Sequence, residues 1–344
     1  MGTSRDRQPG RVTLMHVARA AGVSRTAASS ALTQTGRVSA ETAERVRRVA
    51  RELNYRPNVT AQNLRRARSG AIGLVLPDDV TGLSYYMDFT FGIVDVANES
   101  GLSLVMLPHD ASTRAVSYNV DGFIVIDAQD GDEHLRQLFS LGLPIVSGER
   151  VDAGLGIPTG IVESDHVGAM VELLDHLKTN GSRHPAFLGP GDDTAWGRAL
   201  RAGYDTWCRA NGVRPRLSDV PFSPAAAEAA TACRRVLQQN PDTDALVCGS
   251  DHTAAVAVDV ATTLGRTIGV DLLLASCVDS AVVQLSTPPI TALDLDPREF
   301  GAHCARLFVR LLAEEEPPAS TVIETSPTRL RIRASTAGAP PTGK

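Results

Sequence analysis

Between residues 13 and 30 the chain carries a set of short hydroxyl side chains with an arginine among them: Thr13, Ser24, Arg25, Thr26, Ser29 and Ser30. Hydroxyls suit phosphate oxygens, and arginine offers a two-pronged donor for a guanine edge. This is contact chemistry, not bond-making chemistry. The signatures of covalent catalysis and of phosphate cradles are missing. There is no G-x-S-x-G elbow, no G-x-x-x-x-G-K-[ST] loop and no G-x-G-x-x-G after a strand. The eight histidines are scattered, with no H-E-x-x-H and no metal-ligand spacing. The nearest acid–base neighbours, Asp165 and His166, stand where a helix would start. No enzymatic activity, cofactor or metal is expected.

The elements around these residues read as three short helices. Thr13 precedes Leu14, Val17, Ala18 and Ala21, an i, i+3, i+4, i+7 face with an N-cap before it. Gly22 tolerates the positive φ of a tight turn. Ser24 then opens a second helix from Arg25 to Leu32, whose Val23, Ala28 and Leu32 side face the first helix across the small Ala18. Ser39 caps a third helix with Val46, Val49, Ala50 and Leu53 on its apolar side. The pattern predicts a helix-turn-helix unit that binds DNA. Charge agrees: residues 1–70 hold 14 arginines and 4 acids, about +10, on a chain whose net charge is −5. A basic head on an acidic body suits a phosphate-seeking module, although a basic tail or an arginine-rich coding bias would also add positive charge.

The segments VTLMHVARAAGVSRTAASSAL, VSAETAERVRRVARELNYRPN and VTAQNLRR resemble the N-terminus of the lactose-repressor (LacI/GalR) family. Another helix-turn-helix class is the alternative for the head alone. The resemblance implies that Ser24–Leu32 enters the major groove, with Arg25 and Thr26 at base edges. It implies that Thr13, Leu14, Ser24, Ser29, Arg37 and Asn58 meet the DNA backbone or its border. Ser30 and Thr33 depart from the arginine and asparagine the family often has there, so operator preference is expected to differ. Residues 58–65 resemble the family's hinge helix. Leu64 would wedge into a central base step beside Ala61 and Gln62, and Arg65, Arg66 and Arg68 would add phosphate contacts.

From Ala71 the pattern changes. Apolar runs at 71–76, 102–107, 122–126, 144–147, 185–189, 245–249, 272–276 and 290–295 alternate with amphipathic stretches at 85–100, 132–141, 165–180, 195–211, 225–239, 250–264 and 297–314. Such alternation predicts an α/β fold of parallel sheets flanked by helices. Its repetition in two halves predicts two lobes with a ligand crevice at the strand ends. This resembles the family's periplasmic-binding-protein-like core, and the expected division is 11–57 head, 58–70 hinge helix and linker, and 71–336 core. Only Pro108 to Val120 separate two of the strands, so a full helix is not expected there. Residues 1–10 and 337–344 read as disordered, and no leucine heptads suggest tetramers.

The resemblance implies a sugar or other small effector. The candidate lining is Tyr85, Tyr86, Glu149, Arg198, Leu200, Ser250, Asp251, Val278 and Asp279. Leu200 stands where the family has an arginine, and Val278 where it has an acid. Two polar anchors replaced by apolar residues predict a pocket less polar than a sugar site; Ser250 and Asp251 could equally cap their helix. The five cysteines are widely spaced, with no CxxC pair, which reads as reduced thiols in a cytoplasm. No apolar run approaches the ~18 residues a spanning helix needs, and the N-terminus has no signal-like apolar region. The expected protein is a cytoplasmic homodimer on a pseudo-palindromic operator, controlled by a small molecule. A secreted solute-binding protein would lack the DNA head, and an architectural DNA binder would not need the two-lobed body.

Overall fold

The computed structural model describes residues 12–33, 38–55, 68–77, 84–107, 119–191, 193–221 and 224–337. The expectations placed on Arg37, Asn58, Ala61, Gln62, Leu64, the short stretch after residue 107 and both tails lie outside these residues. The chain divides into two compact units, residues 1–69 and 70–344.

In the first unit, helix α1 (Leu14–Ala20) is followed by a turn in which Gly22 takes φ +65°. Helix α2 (Arg25–Thr33) begins with the Ser24 hydroxyl accepting from Ala27 N–H at 3.1 Å. Helix α3 (Ala40–Glu52) is capped by Ser39, which accepts from Thr42 N–H. The core is made almost wholly of small residues: Val17, Ala18, Ala21, Ala28, Ala31, Val46 and Ala50. Alanines let three short helices approach closely. Arg45 of α3 donates to the Ala21 carbonyl at 3.2 Å and ties the third helix to the turn.

The second unit has two lobes, each a six-stranded sheet with helices packed on it. Lobe 1 contains β1 (Ala71–Val75), α4 (Ser84–Glu99), β2 (Ser103–Leu107), β3 (Phe123–Ile126), α5 (Glu133–Phe139), β4 (Ile145–Gly148) and β5 (Gly160–Ser164). The chain then crosses to lobe 2. There it forms α6 (His166–Thr179), β6 (Pro185–Gly189), α7 (Ala195–Asn211), β7 (Leu217–Asp219), α8 (Ala226–Gln239), β8 (Ala245–Cys248), α9 (Asp251–Thr263), β9 (Leu273–Ser276), α10 (Ala281–Gln284) and β10 (Thr291–Asp294). It returns to lobe 1 for α11 (Pro297–Ala313) and β11 (Val322–Ser326), and ends in lobe 2 with β12 (Arg329–Arg331). The strand orders are β11-β5-β4-β3-β1-β2 and β12-β10-β9-β8-β6-β7. Among the described residues, every strand pairing is parallel except β10 with β12. Central strands such as β3, β4, β8 and β9 are buried along their whole length, which is why they read as unbroken apolar runs.

Helices α4 and α11 cross on one face of the lobe 1 sheet with their backbones nearly touching. A methyl on Gly92 would lie 1.9 Å from the Arg298 carbonyl oxygen, and one on Gly301 would lie 2.0 Å from that of Phe89. The crossing brings Phe89, Ile93, Phe300, Leu307 and Phe308 into one core. Lobe 2 buries Met170, Leu173, Phe187, Leu200, Tyr204 and Trp207 on one side of its sheet. Its other side holds Leu188, Val236, Leu246, Ala257, Leu274 and Ile290. The C-terminal residues Ser335 and Thr336 are fully buried there: Ser335 hydroxyl donates to the Leu274 carbonyl, and Thr336 meets Thr291 and His176. All five cysteines are buried and free. No helix among the described residues is long and apolar enough to cross a membrane.

Candidate functional site

In the first unit, Ser24, Arg25 and Thr26 are exposed at the N-terminal turn of α2, and Ser29 and Ser30 are half-buried one turn later. Thr13 is exposed at the start of α1, where its backbone N–H donates to His16 Nδ1 at 3.1 Å, and Leu14 is half-buried beside it. Both helices therefore begin at solvent with polar side chains around their first turns. A helix start of this kind attracts phosphate, and a short hydroxyl or an arginine there can reach a groove.

In the second unit the lobes face each other across a crevice at the C-terminal ends of their strands. Two carboxylates stand at the mouth of lobe 1. Asp127 follows β3 and Glu149 follows β4, and both take left-handed backbone, φ +49° and φ +72°. Such angles are costly for residues with a β-carbon and persist where the surroundings impose them. Tyr86 is buried beneath and donates its phenol to Asp127 Oδ2 at 2.7 Å. Tyr85 packs edge-on against it, with ring centroids 5.2 Å apart. Glu149 Oε1 lies 2.8 Å from Nε2 of His166, the first residue of α6, and both are buried. Asp165 caps that helix through Gly168 N–H at 2.8 Å, as its place in the sequence suggests, but His166 belongs to the crevice. The His166 ring is edge-on to Trp196 of α7.

These groups surround a central void of ≈ 20 Å³, closed on the lobe 2 side by Trp196, Val278 and Leu295. It is about the size of a water molecule. Glu149 and His166 also border an outer cavity of ≈ 330 Å³ that reaches Arg150, Glu163, Ser164, Asp165 and Thr325. A second set of contacts clasps the lobes: Arg198 of α7 pairs with Asp130, Asp130 N–H donates to the Asp193 carbonyl at 2.9 Å, and Gln129 pairs with Thr194. A sugar-sized ligand needs more room than the central void, so entry requires the lobes to part.

Burial pushes the Asp127 carboxyl up to about 6; Glu149 adds to the rise, while the Tyr86 hydrogen bond and His166 oppose it. His166 is also raised: burial disfavours the imidazolium, but Glu149 outweighs it. The Asp127 shift has a sign that can be checked. An acid whose folded value lies above its unfolded one binds its proton more tightly when folded. Its contribution to stability is therefore largest below about pH 4, falls between 4 and 6, and is constant above. Asp127→Asn is expected to stabilise the protein by about 2–3 kcal/mol at pH 7.5 and by almost nothing near pH 4. Thermal unfolding at the two pH values measures this; an equal gain at both would remove the burial explanation.

The candidate lining separates into two groups. Tyr85, Glu149 and Val278 border the central void, and Tyr86 supports it from below. The others do not line it. Leu200 is fully buried in the lobe 2 core between Trp196 and Tyr204. Arg198 clasps the lobes. Ser250 is a helix cap, accepting from Thr253 N–H. Asp251 accepts from the Ser280 hydroxyl at 2.5 Å. Asp279 is held by both terminal nitrogens of Arg333, at 2.9 and 2.7 Å. Because Leu200 never reaches the crevice, its apolar character says nothing about the ligand, and the expectation of a less polar pocket loses that support. Sequence reasoning missed Asp127, His166, Trp196 and Leu295. Asp127 was within reach, since it follows an apolar strand as Glu149 does.

Comparisons with known proteins agree with this architecture. Residues 13–58 match the family described as bacterial regulatory proteins, lacI family, and residues 174–336 match the periplasmic binding protein-like domain. The HTH-type transcriptional regulator CelR of Thermobifida fusca is 28% identical over 340 residues, spanning 94% of this chain and 98% of that protein. The maltose regulon regulatory protein MalI of Escherichia coli K12 is 29% identical over 335 residues, spanning 91% and 96%. Among solved structures, a CelR–cellobiose complex superposes with a TM-score of 0.70 at 26% identity, over 94% of this chain and all of that one. The lac repressor dimer bound to operator and anti-inducer shares the fold, with a TM-score of 0.75 at 23% identity, over 96% of this chain and all of that one. These relatives are transcriptional regulators, not enzymes. With a helix-turn-helix head, a two-lobed core and matches along both, the chain belongs to the lacI family of bacterial regulatory proteins.

Proposed function

We propose that this regulator is a cytoplasmic repressor that binds a pseudo-palindromic operator as a homodimer and is controlled by a carbohydrate held in the crevice. The observation that carries the reading is one chain combining an exposed, polar α2 start with a carboxylate-lined crevice between two lobes. Arg25 and Thr26 read base edges, Thr13, Leu14, Ser24 and Ser29 border the DNA backbone, and Ser30 stands on the groove-facing helix, where a serine in place of an arginine changes operator preference. Arg37, Asn58, Ala61 and Gln62 extend the contact, and Leu64 wedges into the central step. Effector contact falls to Tyr85, Asp127, Glu149, His166 and Val278. The CelR–cellobiose complex supports a carbohydrate, and aromatic rings beside carboxylates suit sugar faces and hydroxyls. Ligand-driven movement of the lobes shifts the head between DNA-competent and incompetent states.

Selection of duplexes from a random pool with the full-length chain tests the DNA half of this reading. A palindromic consensus bound with steep salt dependence is expected; recovery of no consensus would overturn it. Arg25→Ala is expected to cost about 1–3 kcal/mol at one base pair of each half-site and to relax preference there. An equal loss on every sequence would make Arg25 a phosphate contact instead.

A further inference from the structure

The chemistry of the crevice narrows the ligand beyond "carbohydrate", and the narrowing rests on the crevice being the effector site. Among the described residues, no lysine or arginine lines the central void. Glu149 has its counterpart in His166, 2.8 Å away, so that pair is balanced by a single proton. Asp127 has no such counterpart: its hydrogen bond comes from the neutral phenol of Tyr86. His166 Nδ1 is buried without a hydrogen-bond partner, in a side chain only 3% exposed. A buried polar atom left alone costs free energy that a ligand can recover. The rings of Tyr85 and Trp196 complete the walls. An anionic ligand such as a sugar phosphate would meet the unbalanced Asp127 carboxylate with no lysine or arginine in the described lining to offset it. A neutral sugar would leave the Asp127 charge unmatched.

We propose that the crevice takes a cationic amino sugar, its ammonium against Asp127 and the aromatic walls and a ring hydroxyl on His166 Nδ1. The ammonium supplies the missing positive charge and gains from the electron-rich ring faces. The hydroxyl can donate or accept, so it satisfies Nδ1 whichever nitrogen carries the proton. Carbon, oxygen and nitrogen skeletons that lack the amine meet the same walls but not the same charge.

Three disaccharides with one skeleton test this by calorimetric titration of the full-length chain. They are the β-1,4-linked glucosamine dimer, cellobiose, and the di-N-acetylated dimer, which differ only in amine, hydroxyl or acetamide at one carbon of each ring. The amine form is expected to bind roughly tenfold or more tightly than the other two, the size of one charge-assisted hydrogen bond. In Asp127→Asn, which keeps the Tyr86 bond and should fold at least as well, that advantage is expected to fall to about twofold or less. Cellobiose binding as tightly as the amine form would overturn the amino-sugar assignment and leave the crevice a neutral carbohydrate site. An amine advantage that survives Asp127→Asn would overturn it too, by moving the cation elsewhere on an acidic protein. Binding of none of the three would overturn both this proposal and the carbohydrate reading.

Discussion

Gly92→Ala is expected to destabilise the core by about 3 kcal/mol or more, the upper range for overpacking. The methyl would sit 1.9 Å from the Arg298 carbonyl oxygen and 2.8 Å from the Ala302 nitrogen. Both are backbone atoms of α11, so no side chain can swing aside. The helices would have to separate, and the contacts of Phe89, Ile93, Phe300 and Phe308 at their interface would loosen with them. Urea unfolding followed by circular dichroism measures the loss. Gly191→Ala is the control, because a methyl there meets nothing within 4 Å. If Gly92→Ala costs no more than that control, the close crossing is not a constraint on the fold.

Arg333→Ala is expected to have an effect of similar size, about 3–5 kcal/mol. Arg333 holds Asp279 through both terminal nitrogens and also donates to the Ile290 carbonyl at 2.7 Å. The side chains are 19% and 8% exposed, so this is an interior pair and not a surface one. Removing the guanidinium strands a carboxylate and a carbonyl away from water. Both tryptophans, Trp196 and Trp207, are buried in lobe 2, so intrinsic fluorescence reports on the lobe that contains the pair. Adding Asp279→Asn to Arg333→Ala should recover part of the loss. No recovery would mean that Arg333 acts through packing of its stem, not through its charge.

The helices of the core were legible because each buries one stripe at a spacing of three and four. α7 begins and ends where the pattern of 195–211 places it. That same stripe, Trp196, Leu200, Gly203, Tyr204 and Trp207, shows why Leu200 belongs to the core. Periodicity within the helix was a better guide to it than the resemblance that put it in the pocket. Most strands buried in the sheets were legible as apolar runs; β5 was not, because its buried stretch Gly160–Val162 is short and passes at once into Glu163 and Ser164. Nor was the edge strand β11, because its residues are mostly exposed or half-buried and alternate apolar with polar side chains only briefly. β7 is only three residues long, too short for any pattern. The crevice was half legible. Glu149 is visible as an acid just past a strand, but its partner His166 stands 17 residues away on the other side of a lobe crossing. The Asp279–Arg333 pair spans 54 residues. Pairs of this kind are made by topology, which local spacing does not encode.

The chain passes between the lobes three times, after β5, after β10 and after β11, and this governs how the core can be made. As the polypeptide emerges during synthesis, lobe 1 lacks α11 and an edge strand until residue 326 is out. Lobe 2 lacks β12 and the buried Ser335 and Thr336 until still later. Neither half can finish before the other has nearly finished. A nascent core is therefore exposed for most of translation, and a premature stop anywhere before residue 326 would cripple both lobes together, not just the one nearest the break.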